Sequence, residues 1–349
     1  MIQAKIVGAG GYGGAGITEL LLKHPQVEIA CLVSLSDTGY SMSDVFPHLR
    51  GFCDQTIVSP DDSKATEAYD LVIYSTPDGV GMQSAADEIS KGAKVIDYSG
   101  DFRFNTPKRY ASYANFLGKD PDHAAPELLP TTQYGLPELH SLGTDQQLVG
   151  NPGCFAVSCI LALAPAVKAG IIDLSSIICD CKTGISGAGK KPSPSFHYPS
   201  RYDNMNAYRL SGHQHIVEIE QELGLLCDQE LQITFTAQAV PVCRGIMSVC
   251  YADIKEIDIN TALDIYRTFY PKTGFVRVQP ANQPASIADV RGTNYCNLTV
   301  DIDERTQRLR IVSHIDNLMK GQAGNALQVL NHLYGFEPDT ALQHPGQYP

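Results

Sequence analysis

AKIVGAGGYGGAGITELLLKH, residues 4–24, runs a short β-prone segment straight into a glycine-rich loop and then into a helical pattern. Ile17, Leu20 and Leu21 fall on one helical face. Gly8, Gly10 and Gly13 fit G-x-G-x-x-G, with Gly11 and Tyr12 completing the loop. Glycines in such a loop permit a tight turn and let backbone N–H groups approach a pyrophosphate at the helix N-terminus. The motif is weak alone, but here a strand precedes it and a helix follows, as a dinucleotide site requires.

Working outward, VEIACLVS (27–34), DLVIYS (70–75) and KVIDYS (94–99) read as strands, and 80–91 reads as a helix. This alternation predicts an N-terminal doubly wound parallel sheet. The second strand ends Val33-Ser34-Leu35-Ser36, with no carboxylate at its tip to accept from a ribose 2′-hydroxyl. The hydroxyls of Ser34 and Ser36 suit a 2′-phosphate, which favours NADP; Asp37 nearby, and the lack of an arginine beside Ser34, keep that preference modest. From about 171 the pattern changes to longer alternating strands, LQITFTAQAV (231–240), GIMSVCYADI (245–254) and RLRIVSHID (308–316), with a helix over 260–270. That predicts a second, α+β domain with a largely antiparallel sheet. The pattern over 318–334 is helical and is expected to pack back on the first domain. The expected division of this α/β protein is 1–153 plus 314–349, which carries the glycine loop, and 154–313 as the second domain.

The chain has 349 residues, with 26 Lys and Arg against 38 Asp and Glu, a net charge of -12. Such a balance argues against binding to nucleic acid or an anionic membrane. The longest apolar stretch, 156–167, contains Ser158 and Pro165 and is too short to span a bilayer. MIQAKIVGAGG shows no charged leader followed by an apolar core, so the expected location is the cytoplasm. Ten cysteines are too few for a disulfide scaffold of this size, and nine read as small hydrophobes. Cys179 and Cys181 share one face of an apparent strand, SSIICDCKT (175–183), with no second pair at ligand spacing; no metal is expected. GISGAGKK (184–191) matches most of a P-loop, but Lys191 stands where Ser or Thr should hold Mg²⁺, and Pro192 and Pro194 follow. The loop remains able to hold an anion, with Ser186 and Gly187 as candidate cofactor contacts.

The tenth cysteine lies in GNPGCFAVSCILALAPAVKAG (150–170). Val157, Ile160, Leu161 and Ala164 have helical spacing, so the turn Asn-Pro-Gly sets Cys154 at or next to a helix N-terminus. Unpaired N–H groups there favour a nucleophilic thiolate and can hold an oxyanion. Pro165 predicts a kink or an end to that helix. GHQHIVEIEQELGLL (212–226) offers a base: His213 and His215 precede a helix, and Glu218, three residues after His215, can orient its imidazole.

Ten landmarks now stand in order: GAGGYGG (8–14), VFPHLRG (45–51), DYSGDFRF (97–104), YGLPEL (134–139), NPGC (151–154), SGAGKKPS (186–193), GHQHIVEIEQEL (212–223), PVCRGI (241–246), VRGTNYCNL (290–298) and DNLMKGQAGNALQ (316–328). Through them the chain resembles the N-acetyl-γ-glutamyl-phosphate reductase family of arginine biosynthesis over nearly its whole length. The resemblance implies NADPH-dependent reduction of an acyl phosphate, N-acetyl-L-glutamyl 5-phosphate, to its semialdehyde with release of phosphate. It makes Cys154 the nucleophile and His213 or His215 the acid/base. An anionic substrate needs cations, and Arg103, Lys190, Arg244 and Arg291 stand in the landmarks. The family pattern has Tyr-Pro after the cysteine, Arg between the histidines and Arg after Gly-Ala-Gly; this chain has Phe155-Ala156, Gln214 and Lys190. A homo-oligomer, dimer or tetramer, is expected. The nearest rival is a sibling reductase such as aspartate-semialdehyde dehydrogenase; a dinucleotide-sensing regulator without turnover is the rival from another class.

Overall fold

The computed structural model describes residues 1–272 and 274–347. In chain order the first part is β1 (Ile2–Val7), α1 (Tyr12–Leu21), β2 (Val27–Val33), α2 (Met42–Val45), β3 (Leu71–Tyr74), α3 (Gly81–Ser90), β4 (Lys94–Asp97), α4 (Pro107–Leu117), β5 (Gln133–Tyr134) and β6 (Leu148–Gly150). It continues as α5 (Cys154–Lys168), β7 (Ile178–Thr183), α6 (Tyr198–Arg201), β8 (Asn206–Tyr208), α7 (His215–Cys227), β9 (Thr234–Ala239), β10 (Ile246–Asp253), α8 (Ile259–Phe269), β11 (Val276–Pro280), β12 (Cys296–Asp303), β13 (Arg308–Ile315) and α9 (Gly324–Leu333). Two compact units result: Met1–Gly153 with Gln322–His344, and Cys154–Gly321 with the residues from Pro345.

The first unit holds a six-stranded sheet ordered β2-β1-β3-β4-β6-β5, every pair parallel. Its central strands are buried on both faces, which is why LVIY of β3 reads as an unbroken apolar run. Lys5 of β1 is buried too, and Glu88 of α3 meets its ammonium at 2.6 Å while Ala65 O accepts from it at 2.8 Å. The strand order reverses between β1 and β3, so the crevice for a ligand opens beyond their carboxyl ends.

The second unit holds a seven-stranded sheet ordered β11-β12-β13-β10-β7-β9-β8. Four of its neighbouring pairs are antiparallel, while β11 with β12 and β7 with β9 run parallel. Alternation is clear in β10, where Ile246, Ser248, Cys250 and Ala252 are buried and the residues between them are half-exposed. Ser158 of α5 donates to Ser313 of β13 at 3.0 Å, and Cys159 of α5 lies 3.4 Å from Cys181 of β7, so α5 rests on the buried face.

Pro165 neither ends nor interrupts α5, which runs on to Lys168. A proline there leaves the carbonyl of Leu161 without its helical donor. The hydroxyl of Tyr270, just after α8, supplies a donor to Leu161 O at 2.7 Å, and Tyr266 of α8 does the same for Ala162 O at 2.7 Å. Tertiary partners therefore answer the polar group that the local sequence leaves open.

Two further expectations change. The helical pattern over 318–334 begins as a π-helix, Met319–Ala323, before α9. And Cys179 and Cys181 are joined by Cys159 and Cys250; Cys159, Cys179 and Cys250 have their sulfurs within 4.8 Å of one another. Burial pushes the thiols of Cys159 and Cys181 up. Cys243, by contrast, is exposed and does not serve as a core residue. Among the described residues no helix is long and apolar enough to cross a membrane.

Candidate active site

Cys154 is the first residue of α5 and, unlike the buried cysteines of the core, is partly exposed. Its position follows from the turn Asn151-Pro152-Gly153, since the helical pattern starts only after the proline and glycine have turned the chain. The first-turn N–H groups of a helix have no partner within the helix itself, and Cys154 stands at that end of α5.

The N-terminus of α7 meets it. Phe155, next to Cys154, sets its ring edge-on to those of His213 and His215, at centroid distances of 5.7 and 6.0 Å. His215 opens α7, no side chain caps that end, and Glu218 in the first turn is fully buried. Glu218 Oε1 lies 3.8 Å from His215 Nε2, the i,i+3 pairing read from the spacing. His213 stands just before the helix, its ring 4.7 Å from that of His215, and its Nδ1 accepts the main-chain N–H of His215 at 3.2 Å. Burial, then the neighbouring His215 and Arg209, pushes the His213 imidazole down to about 2, so it is neutral at pH 7.

Three more groups stand at this site: the sequence gives no signal for Tyr208, while Asp316 and Gly321 lie in the landmark DNLMKGQAGNALQ (316–328) with nothing local to mark a role for them. Tyr208 of β8 packs against His213 at 5.9 Å, and its phenol is pushed up by burial and then by the neighbouring Cys154. Gly321, in the π-helix, lies so close that a Cβ on it would stand 2.8 Å from Cys154 Cβ. Asp316 is fully buried and gathers N–H groups from Gly292, Leu318 and Met319 at 2.7 to 3.1 Å. A π-turn is a recognisable mark of functional sites, but nothing in its composition separates it from an ordinary helix.

The predicted cations divide. Arg244 lies beside Asp316, with Nε and Nη2 donating to its Oδ1 at 3.2 and 3.0 Å, so the guanidinium is fixed while its side chain stays 28% exposed. Arg291 is half-buried and donates to Gln347 O at 3.2 Å. Lys190 is exposed. Arg103 is buried in the first unit, its Nε donating to Asn151 O at 2.9 Å and its Nη2 to Tyr98 O, a brace for the Asn-Pro-Gly turn. Ser186 is buried with its hydroxyl accepting from Asn317 at 3.0 Å, and Asn317 Oδ1 accepts from Gly245 N at 2.7 Å; Gly187 is exposed.

In the first unit the glycine loop is built for close approach. Gly8 has φ +88°, and a Cβ there would fall 2.2 Å from Ser75 O at the end of β3. A Cβ on Gly13 would fall 2.4 Å from Ser75 Oγ. Helix α1 starts at Tyr12 with no side-chain cap and no acidic residue in its first turn. Its first N–H groups therefore suit a pyrophosphate, and the residues present fit a dinucleotide. Ser34 and Ser36 do stand at the tip of β2, but the reading of that tip as free of carboxylate is corrected: Asp37 folds back, and its Oδ2 accepts from Ser36 Oγ at 2.7 Å and from Ser34 Oγ at 3.4 Å.

Comparison with known proteins agrees with this architecture. A family profile described as the NAD binding domain of semialdehyde dehydrogenase matches residues 3–146, and one described as its dimerisation domain matches residues 154–317. N-acetyl-gamma-glutamyl-phosphate reductase of Bacillus mycoides is 41% identical over the whole of both chains, and that of Bacillus cytotoxicus is also 41% identical over the whole of both. The chain belongs to the N-acetyl-gamma-glutamyl-phosphate reductase family. Within solved structures the fold of this reductase family member is shared with aspartate semialdehyde dehydrogenases. That of Candida albicans with NADP has TM-score 0.67 at 16% identity, covering 95% of this chain and 98% of the other. Aspartate semialdehyde dehydrogenase II of Vibrio cholerae has TM-score 0.71, also at 16% identity with 95% and 98% coverage.

Proposed function

We propose that the chain reduces N-acetyl-L-glutamyl 5-phosphate, with NADPH as reductant, to N-acetyl-L-glutamate 5-semialdehyde and phosphate, a step of arginine biosynthesis. The observation that carries the reading is Cys154 opening α5 while Phe155 packs against both imidazoles at the start of α7. Membership of the reductase family supports the substrate class.

In this reading the Cys154 thiolate attacks the acyl carbon, and the first-turn N–H groups of α5 hold the oxyanion as it develops. The carbon–oxygen bond to phosphate then breaks, leaving a thioester on Cys154. A nicotinamide cofactor, when bound, would supply the hydride that reduces the thioester carbon. Collapse of the resulting thiohemiacetal breaks the carbon–sulfur bond and frees the aldehyde, and His215 handles the proton at sulfur with Glu218 orienting its ring. His215 takes this role rather than His213, because a group that protonates only near pH 2 is a poor proton donor at neutrality. His213 then positions His215 through its Nδ1 contact. Gly8, Gly10, Gly11, Tyr12 and Gly13 would hold the pyrophosphate. Arg244, fixed by Asp316, Arg291 and Lys190 receive the carboxylate and phosphate of the substrate, whereas Arg103 serves the turn before Cys154.

The protein is proposed to act in the cytoplasm as a dimer or tetramer assembled through the second unit, whose matching profile is described as a dimerisation domain. The direct test runs the reaction backwards, with NADP, phosphate and either N-acetylglutamate semialdehyde or aspartate semialdehyde, watching for reduced nicotinamide. Turnover of the first and not the second is expected. Preferential turnover of the second would make this a sibling reductase, and turnover of neither would favour a sensor.

A further inference from the structure

We propose that Asp37 reads the adenosine ribose of the dinucleotide and works against a 2′-phosphate, so that NAD is accepted here as well as NADP. The proposal rests on the dinucleotide reading of the glycine loop. Asp37 lies four residues beyond β2 in sequence, yet a Cβ placed on Gly10 would fall 1.9 Å from Asp37 Oδ2 and 3.1 Å from Ser34 Oγ. The carboxylate thus stands directly over the second glycine of the fingerprint. In doubly wound folds a carboxylate near the end of the second strand accepts from the ribose hydroxyl, whereas a 2′-phosphate is received by arginine.

The loop is pinned in this geometry. Gly8 N and Ala9 N donate to Val33 O at 2.8 and 3.0 Å, which ties the glycine loop to the end of β2. Thr38 Oγ1 donates to Ser34 O at 2.6 Å, and Gly39 N donates to Ile57 O at 2.9 Å, which closes the turn that returns Asp37. The two hydroxyls that would otherwise greet a phosphate are directed at Asp37 instead. Ser34 to Tyr40 contains no lysine or arginine. A 2′-phosphate arriving at this tip meets a carboxylate and serines already engaged with it, while ribose hydroxyls meet an acceptor.

The test is equilibrium titration of NADPH and NADH, followed by nicotinamide fluorescence, with the full-length protein and its Asp37→Asn and Asp37→Ser variants. The unaltered protein is expected to bind NADH within about tenfold of NADPH, and each variant to move the ratio about tenfold further toward NADPH, roughly 1.4 kcal/mol. Competition by 2′,5′-ADP against 5′-AMP should show the same shift, which locates it at the adenosine end. A ratio unmoved in both variants, or a preference for NADPH beyond about a hundredfold in the unaltered protein, overturns the proposal. Should neither dinucleotide bind, the reading of the glycine loop fails and this proposal with it. If both bind and the ratio is unmoved, only the role of Asp37 falls.

Discussion

Gly321 stands against Cys154 so closely that a single methyl group at 321 would lie 2.8 Å from the cysteine Cβ and 3.3 Å from its Cα. The pressure would fall on the backbone at the start of α5, so the whole residue would move rather than a flexible tip. Displacing a reacting atom by about 1 Å can cost on the order of a hundredfold in rate. Gly321→Ala is therefore expected to lower kcat by about that factor and to slow alkylation of Cys154 by iodoacetamide, with little change in KM. Unchanged kcat and alkylation rate would remove Gly321 from the account.

Tyr270 answers the carbonyl that Pro165 leaves open. Tyr270→Phe keeps the ring and deletes the donor, which leaves Leu161 O buried without its partner. A loss of about 1–3 kcal/mol in denaturant unfolding is expected. Pairing the change with Pro165→Ala, which restores a helical donor, should recover part of it.

Acid sensitivity follows from the buried histidines. His213 is held down to about 2 and His314 to about 4, both chiefly by burial. Below the ordinary histidine range near pH 6.5 the unfolded chain takes up protons that the folded protein refuses, so stability is lost as pH falls. Between about pH 4 and 6.5 each of these histidines contributes up to about 1.4 kcal/mol per pH unit to that slope. His314→Asn should flatten the slope by nearly one proton in urea unfolding at pH 5 and pH 7. An equal slope in the variant would show that His314 titrates normally.

What the sequence discloses and what it hides divide along physical lines. The glycine loop is legible because strand, glycines and helix are contiguous, and Cys154 is legible because Asn-Pro-Gly abuts a helical apolar pattern. Glu218 is found through His215 because helical spacing fixes which side chains neighbour each other. Asp37 is visible nearby but its return to Gly10 is not, since that depends on a turn closed by Thr38, Ser34, Gly39 and Ile57. The continuity of α5 past Pro165 is hidden because its donor, Tyr270, lies more than a hundred residues on. Cys159, Cys179 and Cys250 come from one helix and two strands, so their meeting is a product of sheet register and packing. Tyr208 carries no motif, and Gly321, though inside the landmark at 316–328, has nothing local that points to Cys154; only the fold brings the two to the cysteine.

The most direct measurement traps the enzyme with N-acetylglutamate semialdehyde and NADP in the absence of phosphate, then maps acyl mass by peptide mass spectrometry. Loss of a hydride from the thiohemiacetal should leave an N-acetylglutamyl thioester on the peptide containing Cys154, labile to hydroxylamine, and Cys154→Ser should show none. Reduced nicotinamide forming while that peptide stays unmodified, or acylation at another residue, would contradict covalent catalysis by Cys154.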